Sequence, residues 1–140
     1  MRLILLVMIG LSALSGADIA KDKDTKLYWQ DNAEVMNTQM SYNDAISYCS
    51  DLELGGKDDW RLPSITELES LVDLKRNNPA TKSFIKNTTY GGYWSSTVYA
   101  SNASQAWFIA FMSGYINYGY KSHNGYVRCV RSRPHIATNK

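Results

Sequence analysis

Apolar positions change their spacing along this chain, and each change marks a different kind of element. Residues 3–14 form an apolar run broken only by Gly10 and Ser12. Leu27 to Trp29, "LYW", suits a pleated surface and predicts a short strand. In "SYNDAISYCSDLELGG", residues 41–56, Ala45, Tyr48, Cys49 and Leu52 recur at helical spacing. Ser41 is a cap for that helix, Asp44 sits three residues later, and Gly55-Gly56 is its stop. The next helix opens at Ser64 and Glu67, an S-x-x-E capping box. Its apolar face is Ile65, Leu68, Leu71 and Val72, and Asn77-Asn78-Pro79 closes it. The stretch between the lone strand and the first helix, "QDNAEVMNTQM", reads as turn and loop.

From Tyr90 onward the helical period disappears. Strands are predicted over residues 93–99, 105–112, 115–121 and 126–131. Residues 105–112, "QAWFIAFM", are nearly all apolar, as in a central strand. Ser113-Gly114 and Asn124-Gly125 are the links, and Asn-Gly is a strong hairpin signal. The last three strands should therefore form an antiparallel meander. A lone strand, two helices and then a sheet make an α+β domain.

The leading apolar run follows Arg2 and ends in Ser15-Gly16-Ala17, the pattern of an export signal cleaved after Ala17. It is too short to span roughly 30 Å of hydrocarbon. The remainder, roughly 120 residues, is one domain by size. Residues 18–26, which include "KDKDTK", are expected to be a mobile lead-in, and 134–140 a tail. An exported protein would work in the periplasm or outside the cell. There an even pair of cysteines usually bridges. Cys49 and Cys129 are the only two in the chain. Their bridge would close a loop of about 80 residues, worth roughly 4 kcal/mol by chain entropy. The rival arrangement is two separate buried thiols or a reactive pair.

Charge adds an asymmetry. The total is +2, yet all thirteen acidic residues lie at or before Asp73. Residues 18–73 carry thirteen acids and five bases, net −8, while residues 74–140 carry nine bases and no acid. Either the halves neutralise each other in space, or a basic surface faces an anionic partner.

Four segments occur in a familiar order: "LYWQDN", "MSYNDAISYCSDLELGGKDDWRLPSITELESLVD", "YWSST" and "NGYVRCVR". From Leu27 to Arg133 the chain resembles the Lcl C-terminal-domain family, a bacterial family best known from the end of a collagen-like adhesin. The resemblance implies a C-type-lectin-like fold, akin to that of the formylglycine-generating enzymes. Two helices would pack on a twisted antiparallel sheet, with Cys49 bridged to Cys129. The chain lacks the Glu-Pro-Asn, Gln-Pro-Asp and Trp-Asn-Asp triplets of calcium-dependent lectins. It also lacks the clustered carboxylates of a calcium site beyond Asp73.

Candidate site residues follow from composition. Tyr115, Tyr118 and Tyr120 belong to a tyrosine-rich sheet region suited to stacking on sugar rings. Lys121, Arg128, Arg131 and Arg133 could hold the sulfate or carboxylate groups of a polyanionic glycan. Trp60 and Arg61 read as a structural joint, with Arg61 paired to Asp58 or Asp59. His123 and His135 have no companion at metal-ligand spacing, so no metal or other cofactor is expected. The expected function is an exported, non-enzymatic binding module for an anionic glycan or a surface protein, without nucleic-acid or membrane-spanning roles. A formylglycine-generating-type enzyme and a structural envelope subunit are the alternatives. The enzyme would need a free thiol.

Overall fold

The structure is a computed structural model and describes residues 18–132. The expected export signal, Arg133 and the expected tail lie outside the described residues. The chain folds as α+β, with three helices and two sheets among the described residues.

The smaller sheet has the order β1-β2-β8. In it β1 (Ile19–Lys21) pairs antiparallel with β2 (Tyr28–Gln30), and β2 pairs antiparallel with β8 (Val130–Arg131). The expected lead-in thus contains a strand. Its turn is held by Asp22, whose Oδ1 accepts from Asp24 N at 2.9 Å while Lys26 N donates to Asp22 O at 2.8 Å.

Residues read as loop also contain structure. The short α1 (Glu34–Asn37) buries Val35, and β3 (Gln39–Met40) follows. Neither is long enough to show a period. The main helix α2 (Tyr42–Asp51) begins where expected, with Ser41 Oγ accepting from Asp44 N. It buries Tyr42, Ala45 and Cys49. It ends before the double glycine, however. Gly55 and Gly56, at φ +64° and +71°, instead make a tight turn in which Leu54 and Lys57 exchange backbone hydrogen bonds of 3.0 and 3.1 Å. Glycine suits both positions because positive φ carries no Cβ penalty there.

Helix α3 (Ile65–Glu69) carries the complete capping box between Ser64 and Glu67. It is shorter than its apolar period suggests. Past Ser70 the backbone bonds elsewhere: Lys82 N donates to Leu71 O at 2.9 Å, and Val72 bridges Thr81.

The larger sheet has the order β3-β7-β4-β5-β6. Its centre is β4 (Gly92–Val98), β5 (Gln105–Ala110) and β6 (Tyr115–Tyr120), joined as antiparallel neighbours. The apolar run stops two residues early as a strand. Ala80 N donates to Phe111 O at 2.6 Å and Asn78 N to Met112 O at 3.1 Å, which draws both carbonyls out of the ladder.

The expected third strand of the meander does not return beside β6. Instead β7 (Gly125–Tyr126) inserts between β3 and β4, antiparallel to the first and parallel to the second. Residues 127–129 then cross to the small sheet, so "YVRCVR" is divided between the two sheets. Asn124-Gly125 is accordingly not a hairpin turn here. Packing decided this: Tyr126 lies 5.5 Å from Tyr93, ring to ring, and Gly125 sits beneath Trp94.

Cys49 and Cys129 are both fully buried and form the disulfide, with a Cα–Cα distance of 5.5 Å. The bond joins α2 to the segment between β7 and β8. One core cluster includes Trp29, Leu68, Tyr93, Ile109, Phe111 and Val130, and another surrounds the disulfide with Tyr42, Trp60 and Trp94. Among the described residues no helix is long and apolar enough to cross a membrane.

Candidate functional site

The basic residues proposed from sequence do not assemble into a surface patch. Arg128 is fully buried. Its Nη1 donates to Gln30 O at 2.6 Å and to Asp31 Oδ1 at 3.1 Å. Its Nη2 donates to Asn87 O, and to Thr88 Oγ1 at 3.1 Å. The same Asp31 carboxylate accepts from Lys86 N at 2.8 Å and Asn87 N at 2.9 Å. Arg128 is therefore an internal clamp holding the 86–88 loop to β2, not an anion-binding residue. Regular alternation along a strand over residues 126–131 would turn Arg128 away from Val127 and Cys129, but the chain leaves strand geometry at 127–129 and residues 127–130 are all buried.

Arg131 is likewise buried, and engaged. It grips Asp59 with two hydrogen bonds, Nε to Oδ1 at 2.6 Å and Nη2 to Oδ2 at 3.1 Å. Its guanidinium also lies 5.1 Å from the Tyr28 ring centroid. The bond to Arg131 holds the Asp59 carboxyl below the usual carboxylate range, with burial opposing it. Of the four proposed bases, only Lys121 is described and partly exposed, and its Nζ sits 4.7 Å from the Tyr42 ring centroid. Two ion pairs, Asp31 with Arg128 and Asp59 with Arg131, tie the acidic half to the basic half.

The three proposed tyrosines divide between the faces of the sheet. In the β5–β6 register Tyr118 is opposite Trp107 and Tyr120 opposite Gln105, whereas Tyr115 is opposite Ala110. Side chains alternate along a strand, so Tyr118 and Tyr120 share one face and Tyr115 takes the other. Tyr118 stacks on Tyr99, with centroids 3.9 Å apart and planes 6° from parallel. Trp107 packs edge-on against both, and it is itself only partly buried.

The "DWRLPS" segment is a structural joint. Trp60 is buried and its Nε1 donates to Leu54 O at 3.2 Å. Arg61 pairs with neither Asp58 nor Asp59. It holds Glu67 with two bonds of 2.6 and 2.7 Å and reaches Ser132 Oγ at 2.8 Å. The capping-box glutamate is thus shared between its own helix start and Arg61. That guanidinium keeps Glu67 below its usual range, against burial.

A different feature is a concave surface open to solvent. A groove of about 290 Å³ lies on the sheet face that carries Trp94 and Phe108. Gly91, Gly92, Gly119 and Gly125 line it together with Trp94, Phe108 and Tyr126. The glycines are required for the packing of the rings. A Cβ on Gly91 would fall 2.3 Å from Tyr126 Cε2, on Gly92 2.8 Å from Phe108 Cδ2, and on Gly125 2.8 Å from Trp94 Nε1. Polar groups stand beside the rings. Gln39 Nε2 donates to Tyr126 Oη at 3.0 Å, and exposed His123 and Asn124 also line the groove. The His123 ring leans on Tyr120 at 5.8 Å. No Lys, Arg, Asp or Glu lines the groove.

The groove contains none of the residues proposed as ligand contacts. A signal for it exists in the repeated placement of glycine beside an aromatic residue, in "GGYW", "YGY" and "NGY". Glycine next to large rings permits close approach to the backbone. Strand pairing must still be known before the glycines can be placed together. Among the described residues no group of three or more His, Cys, Asp and Glu side chains is arranged to hold a metal ion.

No curated protein compared with the chain matches it. The profile of the Lcl C-terminal domain matches residues 18–131. That span includes every strand and helix described above, and the chain belongs to the Lcl C-terminal domain family.

Proposed function

We propose that this is an exported, non-enzymatic binding module of C-type-lectin-like architecture, and that it takes the rings of an uncharged saccharide in the glycine-lined groove. The observation that carries this reading is the lining itself: aromatic faces, amides, a phenol and an imidazole, with no formally charged side chain. A sugar ring offers an apolar C–H face and a rim of hydroxyls. Rings such as Phe108 and Tyr126 suit the first, and Gln39, Asn124 and His123 suit the second. The lectin-like reading is supported by the disulfide from α2 to the segment just before the terminal strand, and by helices packed against a mainly antiparallel sheet.

An anionic glycan is the weaker choice for this molecule. Two of the bases it needs, Arg128 and Arg131, already neutralise Asp31 and Asp59. The formylglycine-generating alternative requires a free thiol, and both cysteines are in one disulfide.

The test is a glycan array carrying neutral and sulfated oligosaccharides, probed with the folded protein. Neutral glycans should give the signal, and His123→Ala with Asn124→Ala should weaken it about tenfold, the size expected for losing one or two hydrogen bonds. Binding confined to sulfated glycans, or unaffected by the double variant, rejects the reading.

A further inference from the structure

The end of the molecule at the β5–β6 turn has a composition unlike the groove. Leu74 is 80% exposed, the highest value among the large hydrophobic residues that face solvent. Met112, in the turn itself, is 53% exposed, and Tyr115, just after the turn, is 59% exposed. Leu74 and the turn are brought together by packing. A Cβ on Gly114 would lie 3.2 Å from Leu74 Cδ2 and 2.7 Å from Val72 Cγ1. Hydrogen bonds from Asn78 N and Ala80 N to Met112 O and Phe111 O pin the two loops to one another. Directly beneath are buried Leu71, Ala80 and Phe111, so the protruding side chains stand on a rigid base.

The adjoining charges are positive. Lys75 and Arg76 follow Leu74, are exposed, and take part in none of the ion pairs found among the described residues. The nearest acid in sequence, Asp73, directs Oδ1 to the backbone N–H of Lys75 at 3.0 Å.

We infer that this tip is a membrane-surface contact: Leu74 and Met112 enter the outermost acyl region of an anionic phospholipid leaflet, with Lys75 and Arg76 on its headgroups. Exposed aliphatic side chains flanked by Lys and Arg are suited to such an interface, because apolar burial and attraction to anionic lipid act together. Tyr115 has the apolar body and polar tip that favour headgroup depth. Neutral protein partners would exploit the apolar residues but gain nothing from the two bases, and the charge is what favours lipid. The groove lies elsewhere in the lining of the sheet and shares none of these residues, so saccharide binding and surface binding are independent.

The experiment is co-sedimentation of the full chain with vesicles of phosphatidylglycerol and phosphatidylcholine, alongside vesicles of phosphatidylcholine alone. Binding to the anionic vesicles should be about thirtyfold stronger, in keeping with roughly 1 kcal/mol for each of the two surface bases, and should fall with added salt. The Leu74→Ser/Met112→Ser variant should lose most of it, and Lys75→Gln/Arg76→Gln should abolish the preference for anionic lipid. An Ile46→Ser control, which removes an exposed apolar residue on α2, should change nothing. Equal sedimentation of the Leu74/Met112 variant would assign binding to the apolar leader and overturn the proposal. So would equal binding to neutral vesicles, or none at all.

Discussion

Arg128 shows how one side chain can be misplaced by pattern alone. It is flanked by buried Val127 and Cys129, and strand alternation therefore sends it outward. The Asp31 carboxylate, the Gln30 carbonyl and the 86–88 loop give it a better place inside. Those partners lie forty or more residues away, so no local reading could supply them. Breaking a buried pair leaves an uncompensated charge, which costs about 3–5 kcal/mol. Arg128→Ala should therefore lower unfolding stability by that amount in urea titration. A loss below about 1 kcal/mol would mean that the clamp is not structural. Asp59 and Glu67 contribute to the acid dependence, as does Asp22, whose carboxyl is also lowered, against its burial, by hydrogen bonds from Asp24 and Thr25. Hydrogen bonds from Arg131 and Arg61 lower the Asp59 and Glu67 carboxyls in the folded state. The unfolded chain then binds protons first as pH falls, so this stability is present above a pH of about 4 and is lost below it. Urea midpoints should fall between pH 6 and pH 3, and Asp59→Asn with Glu67→Gln should flatten that fall. An unchanged slope in the double variant contradicts the assignment.

At the scale of elements, starts were more legible than ends. Ser41 and Ser64 cap α2 and α3 as their sequences indicate, because a cap is a matter of a few adjacent residues. Ends depended on distant partners. Thr81 and Lys82 capture the chain after α3, and the 78–80 loop takes the carbonyls past β5. The two-residue β7 and β8 have no period to read, and the crossover between sheets was invisible for that reason. Ser64 tests the local claim. Replacing it with Ala removes the Glu67 N–H acceptor and should cost about 1 kcal/mol, measured by denaturant midpoint. Because Arg61 also grips Glu67, Arg61→Ala with Ser64→Ala should deviate from additivity. Strict additivity would show that the cap and the ion pair act separately.

Across the whole molecule, the class, the family and the pairing of Cys49 with Cys129 were legible, since the cysteines allow one connectivity and the motif order is distinctive. The candidate site was not. The expected surface drew on charge and on tyrosine content, and both proved divisible: Arg128 and Arg131 turned inward, and the tyrosines split across the sheet. The groove arises instead where β3, β7, β4, β5 and β6 bring four glycines under three aromatic rings, a consequence of strand order. The most direct measurement is amide chemical-shift mapping while a neutral oligosaccharide from the array is titrated into the folded protein. Saccharide in the groove predicts saturable shifts at Gln39, Gly91, Gly92, Gly119, Asn124 and Gly125, with Lys121 and the β5–β6 turn unmoved. Shifts centred on Lys121 or the turn, or no saturable shift in the glycines, would contradict it.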